Sequence, residues 1–162
     1  MPVEILVSQA APFDAALMAS IHAACFAKAW DEAAMATFIA GPGTLCLVGY
    51  AGDFGPVPAG ILIARRAADE AELLTLAVAP ACRRLGLARA LLIEAAEQLR
   101  TGDVKRLFLE VEEGNAAALA LYRSLGAMPV GRRPAYYESG ADAAIFSLAL
   151  SDSPPDDGAG RR

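Results

Sequence analysis

The chain has 162 residues, of which 56% are hydrophobic, and it carries a formal net charge of −5. This length suffices for one domain with a full hydrophobic core and is short for two. No apolar run reaches the ~20 residues of a membrane-spanning helix, and the negative charge disfavours broad binding to nucleic acid or to an anionic membrane. We expect a single domain over residues 1–150, followed by a disordered polar tail at 151–162.

The three cysteines, Cys25, Cys46 and Cys82, are widely spaced and form no CxxC pattern. Together with the single histidine, His22, they make no recognisable metal site. The N-terminal residues lack the basic and apolar segments of a signal peptide. We therefore expect a reduced, cytoplasmic protein without a metal, whose negative charge suits an amine-bearing partner.

The first half of the chain predicts a strand, two helices and three further strands. The predicted strands are residues 3–7, 45–50, 57–65 and 72–78, and the predicted helices are residues 11–26 and 31–39. Glycine and proline separate these segments at 41–43 and 52–58. His22, in the first helix, is expected to be a partly buried or surface residue and not a catalytic one, because no Ser, Cys or Asp partner is evident nearby.

The second half predicts a helix from residue 85, a strand at 106–111, a helix from Asn115 to Gly126, and strands at 127–130 and 143–150. Asn115 is a good helix N-cap, and Gly126 is typical of a helix C-terminus. The complete order is β-α-α-β-β-β-α-β-α-β-β, which indicates a mixed α/β sheet flanked by helices. Residues 72–111 form a strand–helix–strand unit and should be a parallel crossover.

The transition from strand to helix at residues 73–92 has the composition of an anion-binding loop. Pro80 ends the strand, and Arg83, Arg84 and a Gly86-x-Ala88 turn precede the helix. The first turn of a helix presents unpaired N–H groups and partial positive charge, and small residues allow an anion to approach the backbone. The alternative is an ordinary strand–turn–helix with two solvated arginines, and the spacing matches neither a Walker loop nor a dinucleotide-binding fingerprint.

Two residues in the second half could carry acid–base chemistry. Glu110 lies between Leu109 and Val111 near the end of a strand, so it faces the opposite way from both. A carboxylate in this position is either solvated or lies at the mouth of a cleft. Tyr122, on the following helix, is either a core residue or a proton donor.

These segments resemble the GNAT family of N-acetyltransferases. Arg83-Arg84-Leu85-Gly86-Leu87-Ala88 resembles its acetyl-CoA pyrophosphate loop, with Ala88 as the less common of two permitted residues. The run Leu109-Glu110-Val111, then Asn115-Ala116-Ala117, then Ala120-Leu121-Tyr122, resembles the RimI-type protein N-terminal acetyltransferases. The predicted element order is also that of the family's fold.

The resemblance implies a role for each of these residues. Glu110 would be the general base, and Tyr122 the general acid that protonates the CoA thiolate. The residues implied to bind acetyl-CoA are Leu76, Ala77, Val78, Arg83, Arg84, Leu85, Gly86, Leu87, Ala88, Arg89, Asn115 and Tyr122. The backbone N–H of Val78 would donate to the acetyl carbonyl. No Cys–His or Ser–His pair is apparent, which favours direct transfer over a covalent intermediate.

The sequence indicates fewer residues for binding of the acceptor than for binding of acetyl-CoA. The resemblance implies that Tyr136 and Tyr137 line the acceptor cleft, although an ordinary hairpin with exposed aromatics is the alternative. Glu72 is a rival base, and simple alternation puts it on one face with Leu74, Leu76 and Val78. The implied acceptor is the α-amine of a protein N-terminus, by analogy a ribosomal protein.

The sequence is compatible with two other functions and does not indicate an oligomeric state. The chain could instead acetylate a small amine, or it could bind acetyl-CoA without catalysing transfer. Glu112 and Ala127 also depart from the residues usual in the RimI-type branch, which leaves the acceptor open.

Overall fold

The computed structural model describes residues 3–137 and 140–150. The strands are Glu4–Gln9 (β1), Thr44–Gly52 (β2), Val57–Ala67 (β3), Glu70–Val78 (β4), Arg106–Glu112 (β5), Met128–Arg133 (β6) and Ala143–Ala149 (β7). The helices are Ala15–Cys25 (α1), Glu32–Ala40 (α2), Leu87–Thr101 (α3) and Ala116–Ser124 (α4). The predicted order of elements is confirmed, with ends that shift by a few residues. The predicted tail at 151–162 lies outside the described residues.

The strands form one sheet in the order β1-β2-β3-β4-β5-β7-β6. Adjacent strands are antiparallel except β4 and β5, which are parallel, so the predicted parallel connection is confirmed. The parallel pairing runs only from Glu70–Arg106 to Glu72–Phe108. Beyond Glu72 the two strands are no longer paired, which leaves a gap between the C-terminal half of β4 and β5.

Helices cover both faces of this sheet. Leu91 and Leu92 of α3 and Tyr122 of α4 belong to one buried cluster, which includes Leu107 and Phe146. The other face carries the apolar side chains of α1 and α2, namely Ala15, Met18, Ile21 and Met35. Within the described ranges, no helix has the length and apolar character needed to cross a membrane.

Two glycines let α3 pack closely against the sheet. A Cβ on Gly49 of β2 would lie 2.7 Å from Cδ1 of Leu87, and one on Gly60 of β3 would lie 3.1 Å from side-chain atoms of Leu87 and Leu91. Larger residues would force the first turns of the helix away from the strands. The N-terminus of α3 is thereby held beside the end of β4.

A bulge in β4 changes which side chains share a face. The pairing with β3 steps from Ile63–Thr75 to Ala64–Leu73, which leaves Leu74 as the extra residue. Leu76 and Val78 consequently pack with the α3 cluster, whereas Leu74 packs with the α1–α2 cluster. The prediction that Glu72 shares a face with Leu74, Leu76 and Val78 is therefore wrong for Leu76 and Val78.

Candidate active site

The gap between β4 and β5 is lined by backbone polar groups of β4. The N–H of Ala79 donates to the Ala59 carbonyl at 2.7 Å. Because successive residues of an antiparallel strand turn their polar groups to opposite sides, those of Val78 and Leu76 point away from β3 and towards the gap. Ala77 is paired with Ile61, and its backbone groups face β3.

Two side chains converge on the Val78 carbonyl. Arg83 donates from Nε at 3.1 Å, and the Cys25 thiol donates at 3.3 Å. Arg83 Nη2 also lies 3.8 Å from Cys25 Sγ. Arg83 thus folds back to the end of β4. Since the Val78 carbonyl already accepts these two bonds, the group of Val78 that can donate towards the gap is its N–H. Cys25, which the sequence did not single out, lies 53 residues away from Val78 in the chain.

The loop after β4 has the backbone geometry of a tight turn into a helix. Arg84 and Gly86 have φ of 65° and 89°, in the left-handed region. Gly86 is the N-cap of α3 and provides no side-chain cap. The N–H groups of the first turn are therefore not engaged by a capping side chain, which suits binding of an anion. Leu85 is partly exposed, while Leu87 is buried in the core, so Leu87 can contribute to such a site only through its backbone.

The next turn of α3 is tied to α4 by Arg89. Its Nη1 donates to Ser124 Oγ at 2.9 Å, and Ser124 donates in turn to the Leu121 carbonyl at 2.6 Å. Arg89 is therefore held across the space between the two helices. Ala88, beside it, packs against the main core cluster.

Glu110 points to the face of the sheet opposite Leu109 and Val111, which are both buried. Its side chain is 27% exposed, and Oε1 lies 3.2 Å from Arg133 Nη2. The sequence predicted the facing of Glu110 but not its pairing with Arg133.

Tyr122 is buried in α4, with its ring centroid 6.3 Å from that of Phe146. Burial, aided by the nearby Tyr137, raises its pKa to about 12. The phenol is therefore protonated at neutral pH and can donate a proton. At the start of α4, the side-chain oxygen of Asn115 accepts from the Ala118 N–H at 3.1 Å, which confirms its N-cap role.

Tyr136 and Tyr137 follow β6 and pack edge to face, with ring centroids 5.2 Å apart. Burial raises the pKa of Tyr137, and the negative charge of Glu110 contributes to the same shift. Since Tyr137 also acts on the pKa of Tyr122, this loop brings Tyr137 into electrostatic range of both predicted acid–base residues.

The same loop is fastened at its base by ion pairs. Arg132 pairs with Glu113 at 2.6 Å and also with Asp142. The other carboxylate oxygen of Asp142 accepts from the Ala135 N–H at 2.7 Å. The backbone that leads to Tyr136 is thus anchored to the loop that precedes α4.

Glu72 lies away from these groups. It is six residues before Val78 in an extended strand, which corresponds to a separation of about 20 Å at ~3.3 Å per residue. It belongs to the paired end of β4 and β5, and its half-exposed carboxylate contacts Arg65 at 2.6 Å. Glu110, by contrast, lies two residues beyond Phe108, the last residue of β5 that pairs with β4.

Comparison with known proteins gives a family match and close structural relatives. Residues 15–127 match the model of the acetyltransferase (GNAT) family. The [ribosomal protein bS18]-alanine N-acetyltransferase of Escherichia coli K12 is 44% identical over 86 residues, which are 51% of this chain and 58% of that relative. The sequence match therefore spans little more than half the length of the relative.

The structural matches extend over nearly the whole chain. The crystal structure of the ribosomal-protein-S18-alanine N-acetyltransferase from Escherichia coli superposes with a TM-score of 0.80 at 33% identity, covering 94% of this chain and 98% of that one. Arabidopsis thaliana NAA60 in complex with acetyl-CoA gives a TM-score of 0.76 at 19% identity over 90% of this chain and 98% of that one, a likeness of fold alone. The mixed α/β fold predicted from the sequence is confirmed.

Proposed function

The chain belongs to the GNAT family of acetyltransferases, and on that premise we propose that it transfers an acetyl group from acetyl-CoA directly to the α-amine of a protein N-terminus. The proposed acceptor is a ribosomal protein that begins with alanine, by analogy with the relative that is 44% identical. The observation that carries the proposal is the gap between β4 and β5, because the backbone donors of β4 face it and Glu110 lies on β5 beyond the last residue paired with β4.

The residues around the gap suit acetyl-CoA. The N–H groups of the first turn of α3 and the guanidinium groups of Arg84 and Arg89 would hold its phosphates. The backbone groups of Leu76 and Val78 would hold the extended arm of the molecule as an added strand would be held. Bound in this way, acetyl-CoA supplies the activated acyl group. Its phosphates would be compensated by a positive loop within an otherwise acidic chain.

The chain's own groups can meet the three requirements of the transfer. Glu110 accepts a proton from the acceptor ammonium, directly or through a water, so that the neutral amine can attack. The N–H of Val78 donates to the acetyl oxygen as negative charge develops there. The Tyr122 phenol, which is protonated at neutral pH, donates its proton to the departing thiolate, and the second proton that the attacking nitrogen loses as the amide forms restores the phenol. No covalent bond to the enzyme is required.

The test is release of free CoA thiol from acetyl-CoA in the presence of purified protein and a panel of acceptors. The panel contains peptides that begin with alanine, the same peptides with acetylated N-termini, and small amines. We expect release only with free N-termini. Release with small amines alone would replace the proposed acceptor, and acetyl-CoA binding without release for any acceptor would contradict catalysis.

A further inference from the structure

The two adjacent arginines at the end of β6 have different partners. Arg132 pairs with Glu113 and Asp142 at the base of the loop. Arg133 pairs instead with Glu110, at 3.2 Å. Neighbouring residues of a strand point to opposite faces of the sheet. One arginine therefore fastens the loop, while the other reaches the proposed base.

The register of the sheet explains how Arg133 reaches across an intervening strand. Arg133 is opposite Ala143 of β7, and Ala143 is opposite Glu112 of β5. Glu110 is two residues before Glu112 on β5, on the same face, and is opposite Ile145 of β7. The Arg133 side chain therefore crosses β7 diagonally to reach Glu110. The guanidinium carbon of Arg133 also lies 5.4 Å from the centre of the Tyr136 ring.

The Arg133 side chain is more exposed to solvent than the Glu110 side chain with which it pairs. The side chain of Arg133 is 54% exposed, and that of Glu110 is 27% exposed. An amine approaching Glu110 from solvent therefore meets a position that already holds a cation. Ion pairs at this exposure are weak, so the guanidinium can be exchanged for another cation.

We propose that Arg133 occupies the place of the acceptor's ammonium at Glu110, so that a cationic acceptor must displace it and binds less tightly than it would without the arginine. The inference rests on the proposed function, because it assigns the arriving cation to the amine that is to be acetylated. A neutral group cannot compensate the Glu110 carboxylate and leaves Arg133 in place. Arg133 thus lowers the affinity for the amine acceptor and leaves the affinity for a neutral counterpart unchanged.

The test compares two peptides that differ only in the charged group. Binding of a peptide that begins with alanine, and of its des-amino counterpart, is measured by calorimetry on the CoA-loaded protein, in which no transfer can take place. We expect Arg133→Gln to tighten binding of the amine peptide by about two- to fivefold, the range of an exposed ion pair. The des-amino peptide should bind as it does to the unmodified protein. Arg133→Lys, which keeps the competing cation, should bind both peptides as the unmodified protein does.

Several results would overturn this role. An equal change for both peptides would indicate a steric effect, and weaker binding of the amine peptide would indicate that Arg133 assists the acceptor. Arg100→Gln is the matched control, because it also removes a partly exposed arginine that pairs with a glutamate, here Glu97 within α3. It should leave both affinities unchanged. Melting temperatures of all variants identify any loss of folding.

Turnover separates this inference from the proposed function. If the unmodified protein acetylates peptides and Arg133→Gln leaves the acceptor KM unchanged, the inference fails and the proposed function stands. If the unmodified protein releases no thiol with any acceptor, both fail. The expected result is an acceptor KM lowered by the same factor as the binding constant, with kcat and the KM for acetyl-CoA unchanged.

Discussion

At Tyr122, packing and chemistry require the same protonation state. Burial in α4 raises the pKa of the phenol to about 12, with a contribution from Tyr137. A core tyrosine and a proton donor are therefore not competing interpretations of this residue. The burial that makes Tyr122 part of the core also keeps its proton available at neutral pH.

Tyr122→Phe should separate the two roles. The variant keeps the ring that packs near Phe146 and loses only the hydroxyl group. General acid catalysis contributes about 10²- to 10⁴-fold, so kcat should fall by at least tenfold while the affinity for acetyl-CoA is retained. Stopped assays of thiol release and calorimetric titration with acetyl-CoA measure the two quantities. An unchanged kcat would exclude the hydroxyl group as the acid.

The same substitution should alter stability at alkaline pH. In the unfolded chain a tyrosine ionises near pH 10, whereas folded Tyr122 ionises at about 12. Between these values the unfolded state binds fewer protons, so the free energy of unfolding falls as pH rises. The difference is about 1–2 kcal/mol after allowance for partial burial. Urea unfolding at pH 9 and pH 11 should show a smaller alkaline loss for Tyr122→Phe than for the unmodified protein.

At the scale of elements, His22 joins α1 to the start of α2. It is buried, its ring stacks on Trp30 with centroids 4.8 Å apart, and its Nδ1 accepts from the Trp30 N–H at 3.0 Å. The sequence predicted a partly buried or surface histidine, whereas the structure buries it, because Trp30 and Phe26 pack against its ring. The turn between the two helices depends on a neutral imidazole, because a protonated ring has no acceptor at Nδ1.

Acid should therefore weaken this connection. Burial lowers the pKa of His22 below 6.5, so below that pH the unfolded state binds more protons and the free energy of unfolding falls. His22→Asn offers an oxygen in place of Nδ1 and does not titrate. We expect it to be less stable than the unmodified protein at pH 7, by about 1–3 kcal/mol for the lost ring packing. That difference should narrow towards pH 5 in urea unfolding, and a constant difference would contradict the assignment.

The features that the sequence predicted depend on neighbouring residues, whereas the features that it missed depend on contacts between residues far apart in the chain. The N-cap Asn115, the turn at Gly86 and the facing of Glu110 follow from local rules of turns and alternation. The contact of Cys25 with Val78 joins residues 53 positions apart, and no local pattern indicates it. The bulge at Leu74 is also set by pairing with β3, which is why simple alternation placed Leu76 and Val78 on the wrong face.

For the whole molecule, the division of the sheet into a paired and an open end decides where chemistry can occur. At residues 70–72 the two parallel strands are hydrogen-bonded to each other, and no ligand can insert between them there. Further along, the two strands are unpaired, α3 begins after the end of β4, and Tyr137 lies in electrostatic range of Glu110 and Tyr122. A carboxylate contributes to transfer only if it lies at the open end.

Glu110 and Glu72 provide a matched pair for this argument. Each is a partly exposed glutamate on one of the two separating strands, and each contacts an arginine, Arg133 or Arg65. Glu110→Gln should lower kcat by about 10²- to 10⁴-fold, the usual contribution of a general base, and leave acetyl-CoA binding intact. Glu72→Gln removes an exposed ion pair about 20 Å from Val78 and should change kcat by less than about twofold. If the thiol-release assay shows the larger loss of kcat for Glu72→Gln, Glu72 is the base. Equal losses of kcat would indicate that both substitutions act through folding, which lowered melting temperatures would reveal.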